Sequence, residues 1–92
     1  MHYQVQYSVQ YMKAKVYVTL KPSVLDPQGK AIHHSTELLG FKNLAEIRMG
    51  KYFEIAFLDG VSPVEALDTA ERIGKDMLAN PVIEDYKVEI ES

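Results

Sequence analysis

The sequence contains no cysteine. Disulfide frameworks, thiolate nucleophiles and cysteine-ligated zinc or iron–sulfur centres are therefore excluded. No apolar run approaches 18 residues, so no segment reads as a membrane span. The first residues also lack the basic stretch and apolar run of a secretory leader. The five glycines stand singly, which removes any glycine-rich phosphate loop. Basic charge is short as well: 10 Lys+Arg face 13 Asp+Glu, a net charge of −3. Nucleic-acid binders need a basic face, so that class is not expected. What remains is ordinary globular composition, 47% hydrophobic and 25% charged over 92 residues. That length holds one domain, burying roughly 64% of its unfolded surface around one modest core. A multilayer catalytic domain with its own cofactor cleft is not expected, and the cytoplasm is the expected compartment.

Charge is split along the chain. Residues 1–58 carry 7 Lys/Arg and 4 Asp/Glu, a balance of +3, whereas residues 59–92 carry 3 and 9, a balance of −6. Two poles of opposite sign suit contacts with protein partners better than a polyanion.

Tyr3, Val5, Tyr7, Val9 and Tyr11 alternate with Gln4, Gln6, Ser8 and Gln10, the period of a strand. At Met12-Lys13 the phase slips, and Ala14, Val16, Val18 and Leu20 take the apolar positions. The slip predicts two strands or one bulged strand. Asp26-Pro27 is a helix start, and Ala31, Ile32, Ser35, Leu38 and Leu39 form a helical stripe through residues 27–39. Gly40 and Phe41 fit a Schellman stop. Ala45, Ile47 and Met49 alternate, as do Phe53, Ile55 and Phe57, with Gly50-Lys51 placed as a two-residue hairpin turn. Ser62-Pro63-Val64-Glu65 is a capping box opening a second helix with a stripe at Leu67, Ala70, Gly74, Met77 and Leu78. Asn80-Pro81 ends it. Tyr86, Val88 and Ile90 alternate with Lys87, Glu89 and Glu91 as the last strand. The order predicts an α+β, two-layer βαββαβ chain: a ferredoxin-like antiparallel sheet of four strands, two helices on one face, and an extra N-terminal strand. Apolar groups on the second face, Tyr17, Tyr52, Ala56 and Leu58, favour burial by a homo-oligomer over a bare sheet.

No catalytic set assembles from these residues. His33 and Glu37 have i, i+4 spacing but no third ligand in reach, which is the pattern of an exposed helix pair. Ser62 is used as a cap, and no serine is flanked by nucleophile-elbow glycines. The carboxylates Glu84, Asp85, Glu89 and Glu91 suit the soluble outer side of a strand. Val16–Leu20 and Lys51–Phe57 loosely echo the paired aromatic motifs of RNA-recognition domains, but Tyr52 stands where that motif needs glycine and Glu54 faces the ligand side.

From Met12 onward the chain resembles the PurS subunit family of phosphoribosylformylglycinamidine synthase. Four segments carry the resemblance: Lys13–Lys30 (KAKVYVTLKPSVLDPQGK), Leu39-Gly40-Phe41, Ile47–Lys51 (IRMGK) and Leu78–Tyr86 (LANPVIEDY). Residues 1–11 lie outside the pattern, and residues 12–92 form the PurS-like domain. The resemblance implies a non-catalytic assembly subunit in de novo purine (IMP) synthesis. In that scheme a PurL-like synthetase subunit uses ATP and Mg to activate an amide oxygen. A PurQ-like glutaminase subunit releases ammonia from glutamine, and the small subunit bridges the two and shelters the ammonia. It carries no cofactor or metal, and its partners are those two subunits and itself, as a dimer or tetramer, with no nucleic acid and no membrane.

Partner contacts are expected where the sequence exceeds structural need. Ser23, Val24 and Gln28 are demanded by no cap, Arg48 and Lys51 flank the expected hairpin tip, and Asn80-Pro81 presents backbone before the last strand. The alternative reading is an ACT-like regulatory module, which shares the element order and would bind a small molecule.

Overall fold

The structure, a computed structural model, describes residues 11–91. Strand β1 (Lys13–Leu20) is the centre of a three-stranded antiparallel sheet, flanked by β2 (Gly50–Ala56) and β3 (Glu84–Glu91). The register sets two faces. Ala14 lies between Ile55 and Ile90, Val16 between Phe53 and Val88, and Val18 between Lys51 and Tyr86. This inner face is covered by helix α2 (Pro63–Ile73), which packs on β1 and β3. Ser62 caps α2 by accepting from the Glu65 N–H at 3.1 Å, as the capping box predicts. The core is small: Ala14, Val16, Val18, Ala66 and Ala70 are its buried apolar members, and the two valines are the largest fully buried side chains. Alanine on the helix lets α2 sit close to the sheet, but it removes little apolar area from water.

α2 runs into a π-helical turn, Gly74–Leu78, closed by the Ala79 N–H on the Gly74 carbonyl at 2.9 Å. Gly74 lies against the Tyr86 ring, where an added Cβ would sit 3.0 Å from the ring carbon. The widened turn swings Met77 off the expected stripe into solvent, 78% exposed, while Gly74 takes the buried place. Leu67 is also exposed, and Ala66 fills the position next to Ala70 instead.

Helix α1 (Pro27–Leu38) begins and ends as the sequence predicts. Asp26 caps it, and the Gly40 and Phe41 N–H groups bond back to the Glu37 and Thr36 carbonyls at 3.0 and 3.1 Å. Gly40 has φ 96°, the left-handed conformation this stop requires. Its placement differs from expectation, because α1 does not join α2 over the sheet. It buries Gly29 and half-buries His33 and Thr36, on its side facing the returning segment 41–49, and leaves its apolar stripe in solvent. Leu38 is 75% exposed and Leu39 77%. α1 and the returning segment thus form an arm projecting from the sheet. The radius of gyration, 17.2 Å, reflects it, against about 12 Å for a compact domain of this length.

The fold is α+β and ferredoxin-like, with departures from the four-stranded expectation. Residues 45–49 alternate like a strand but carry no ladder, and Gly50 and Lys51 open β2 opposite Thr19 and Val18 instead of forming a turn. Bonds from the Asp26 carboxylate and the Arg48 side chain hold residues 48–49 at the base of α1, away from the sheet. Local alternation cannot reveal such non-local ties. The extra N-terminal strand expected over residues 3–11 lies outside the described residues except for Tyr11, which is exposed and not in a strand.

The arm tests directly at Gly29. A Cβ there would collide with the Ile47 carbonyl oxygen and lie 2.7 Å from an Asp26 carboxylate oxygen. Gly29→Ala gains up to about 1 kcal/mol of helix propensity, whereas overpacking costs about 1–3 kcal/mol. The clash prevails: the variant melts lower, and hydrogen exchange at the Met49 N–H accelerates while β1 stays protected.

Candidate functional site: a residue cluster at one end of the sheet

The seven residues singled out from the sequence come together at one end of the sheet, where β1 finishes and β2 and β3 begin. Ser23 is exposed on the turn after β1, and half-buried Val24 donates its N–H to the Lys21 carbonyl at 2.9 Å. Arg48 Nη2 donates to the Lys21 and Val24 carbonyls at 3.1 and 2.9 Å, so its exposed guanidinium gathers this loop. Gln28 and Lys51 line a cavity of about 150 Å³ with Asp26, Met49 and Glu84. Asn80 Oδ1 accepts from the Val82 N–H at 3.0 Å, and Pro81 lines an open concavity of about 500 Å³ with Lys21, Lys75, Glu71 and Tyr86.

Glu84 joins these parts. Its carboxylate accepts from the Asn80 N–H at 2.7 Å, sits 3.6 Å from Lys51 Nζ, and lines both cavities. Sequence alternation had placed Glu84 only on the outer side of a strand. The register puts it opposite Leu20, on the inner face with Tyr86. Its side chain is 12% exposed. Asp26 is the second residue whose role exceeds its sequence signal. The Asp-Pro cap is legible, but the same carboxylate also accepts from the Met49 N–H at 2.7 Å, 23 residues away. Bonds from the Gly29 and Met49 N–H groups hold its pKa below the ordinary carboxylate value. Tyr86 is pushed the other way, raised first by burial and then by its bond to Glu71.

The outer sheet face is an ionic layer. Lys13 faces Glu54 at 3.6 Å, Lys15 pairs with Glu91 at 3.0 Å, and Lys21 with Asp85 at 2.7 Å. Tyr17 and Tyr52 pack at 5.1 Å between ring centroids, and the Tyr52 hydroxyl donates to Glu54 at 2.8 Å. That bond raises the Tyr52 pKa to about 12 and lowers that of Glu54. The apolar second face expected from Tyr17 and Tyr52 is therefore mostly charge. Nor do the two halves of the chain form separate poles, because Lys15 of β1 and Lys21 just after it neutralise β3 carboxylates across the sheet. Each such exposed pair contributes little alone, about 0–1 kcal/mol.

His33 Nε2 lies 3.6 Å from Glu37 Oε2, and among the described residues no group of three or more potential metal ligands gathers. The structure thus brings together a loop, two cavities and a carboxylate hub at one end of the sheet.

A family model described as PurS: Phosphoribosylformylglycinamidine (FGAM) synthase matches residues 13–92. The chain belongs to the PurS family. It is 40% identical over 79 residues to the phosphoribosylformylglycinamidine synthase subunit PurS of Bacillus subtilis (strain 168), covering 86% of this chain and 92% of that one. It is similar to the crystal structure of Methanocaldococcus jannaschii PurS, described as one of the subunits of formylglycinamide ribonucleotide amidotransferase in the purine biosynthetic pathway. The TM-score is 0.78 at 34% identity, over 88% of this chain and 96% of that one. A chain in the structure of PurLQS from Thermotoga maritima shares the fold, with TM-score 0.62 at 22% identity over 90% of this chain and 100% of that one. Nothing among these matches supports a regulatory ligand-binding module.

Two variants test the clamp. The depressed Asp26 pKa stabilises the arm above the ordinary carboxylate value near 3.9, and that contribution disappears as pH falls through the lower folded value. Asp26→Asn abolishes this acid-side dependence, so titrated melting curves of the two proteins converge at low pH and separate towards neutrality. Arg48→Ala removes two exposed bonds worth about 1 kcal/mol together after screening. Its melting temperature falls by about 4–8 °C, and an unchanged value refutes the structural role.

Proposed function

We propose that this chain is the small assembly subunit of phosphoribosylformylglycinamidine synthase, acting in purine biosynthesis. The family match over residues 13–92 carries the reading, since it spans nearly the whole length of the subunit it matches. The chemistry of the chain agrees. The side chains proposed for partner contact are engaged in internal bonds that shape a surface.

In this reading ATP, Mg²⁺ and glutamine are used by the partners. A PurL-like synthetase subunit activates the amide oxygen of formylglycinamide ribonucleotide, and a PurQ-like glutaminase subunit hydrolyses glutamine to glutamate and ammonia. Ammonia displaces the activated oxygen, giving formylglycinamidine ribonucleotide, ADP and phosphate. Free ammonia in water at neutral pH is almost entirely ammonium, which has no lone pair to attack with. A subunit that closes the path between the two active sites therefore raises the yield of transfer without touching the reacting atoms. The loop Ser23–Val24, Gln28, Arg48, Lys51 and the Asn80-Pro81 turn form one contact surface for the partners, with Glu84 fixing its shape. The complex works in the cytoplasm, and no helix of the described chain is long and apolar enough to cross a membrane.

Reconstitution tests this. With the synthetase and glutaminase subunits present, leaving out this chain abolishes glutamine-dependent amidation and preserves most ammonia-dependent amidation. Equal glutamine-dependent turnover with and without it refutes the assembly role.

A further inference from the structure

Among the described residues the sheet has three strands, so the outer edges of β2 and β3 carry a row of N–H and C=O groups with no strand beside them. The chain also holds a strand-like segment with no pairing assigned to it. Tyr3, Val5, Tyr7, Val9 and Tyr11 alternate with Gln4, Gln6, Ser8 and Gln10, and residues 3–11 include no charged residue, glycine or proline. Aromatic and β-branched residues in strict alternation suit a half-buried strand. The point where this segment meets the sheet is fixed. β1 begins at Lys13, and the Met12 carbonyl accepts from the Phe57 N–H at 2.9 Å. Tyr11 and Met12 lie outside the strand, and Tyr11 is exposed. A straight continuation of β1 would bring the tyrosines into line with Lys13 and Lys15 on the ionic outer face. The break at Met12 and the one-residue slip in alternation are what a change of strand requires.

Of the two open edges, only one is accessible from Met12. On the β2 side the way is closed, because Phe57 is bonded to Met12 and residues 57–62 run on into α2. On the β3 side Glu91 lies level with Lys13. Strands stand about 4.8 Å apart, which puts the outer edge of β3 about 10 Å from β1. Residues 9–12, when extended, span about 13 Å, enough to cross the end of β3. A segment that crosses there and doubles back runs antiparallel to β1, and so parallel to β3. Its two sides then match those of its neighbour. β3 has half-buried Tyr86, Val88 and Ile90 on the inner side and exposed Asp85, Lys87, Glu89 and Glu91 on the other.

We propose that residues 3–8 add to the sheet as a fourth strand on the open edge of β3. Tyr3 lies beside Tyr86, Val5 beside Val88 and Tyr7 beside Ile90, while Gln4, Gln6 and Ser8 lie beside Lys87, Glu89 and Glu91. This register leaves residues 9–12 for the crossing and keeps the apolar side chains of both strands on the inner side. Tyr3 and Tyr86 gain an aromatic contact. The side-chain amides of Gln4 and Gln6 both donate and accept, so they suit Lys87 and Glu89 alike. The occupant is the chain's own segment because Met12 tethers it beside the edge, at an effective concentration on the order of millimolar. The added strand covers an edge that a three-stranded sheet leaves open to other chains.

Hydrogen exchange and disulfide trapping, both on the full chain, test this. In the native chain the β3 N–H groups that point away from β1 exchange slowly. Val5→Pro removes a donor from the middle of the added strand, and those groups then exchange about tenfold faster or more while β1 is unchanged. The sequence holds no cysteine, so Gln6→Cys with Glu89→Cys places the only two thiols on neighbouring strands. Mild oxidation closes a disulfide between them within one chain, seen as a single chain mass under denaturing, non-reducing conditions. Gln6→Cys with Glu54→Cys, which samples the β2 side, gives none. Equal exchange in the native and Val5→Pro chains overturns the proposal. So does the lack of a bond between positions 6 and 89 of one chain, whether the thiols stay free, position 6 bonds to position 54, or the bond forms only between chains. That last result gives the β3 edge to the segment of a second copy.

Discussion

Asp26 holds this architecture in place. One carboxylate closes the first turn of α1 through the Gly29 N–H and, through the Met49 N–H, pins the chain where it re-enters the sheet. Everything between residues 27 and 49 is thereby suspended from two bonds to a single buried side chain, 5% exposed. Arg48 adds the second constraint by gathering the carbonyls of the loop that leads into α1. With both ends of the arm fixed, α1 stands off its own sheet, and its apolar stripe stays exposed.

Much of this was legible in the sequence because it is local. Both helix starts and the Gly40 stop depend on neighbours within five residues, and the caps fall on Asp26, Ser62 and Gly40 as read. β1 and β3 carry clean alternation because one face of each is covered. The failures are non-local. Residues 45–49 have strand alternation, but the bond from Met49 to Asp26 decides their fate, and no periodicity encodes a partner 23 residues away. The stripe on α1 is apolar as its spacing predicts, but it faces solvent and not the sheet. No local periodicity marks the π-turn at Gly74, and the Tyr86 ring packed against that glycine lies twelve residues further on.

The cluster at this end of the sheet shows the same division. Each of its seven residues stands out for a local reason, an unneeded side chain beside a cap or a charge near a turn. Only the sheet register shows that they converge, and only through Glu84, which pairs opposite Leu20 and reaches both Asn80 and Lys51. An assembly subunit needs such convergence more than chemistry. Bonded loops at the end of a paired sheet hold such a cluster in a fixed shape.

The strand order also bears on how the chain is made. The central strand is translated first and one of its two neighbours last, so β1 waits with an open edge until residues 84–91 emerge. Closing a contact across so much intervening chain is entropically costly and slow. During that interval an apolar, alternating strand is at risk of pairing with other nascent chains. Lys13 and Lys15, which later meet Glu54 and Glu91, stand on the waiting strand as unpaired charges and discourage such pairing. The ion pairs of the finished sheet thus begin as protection for the unfinished one.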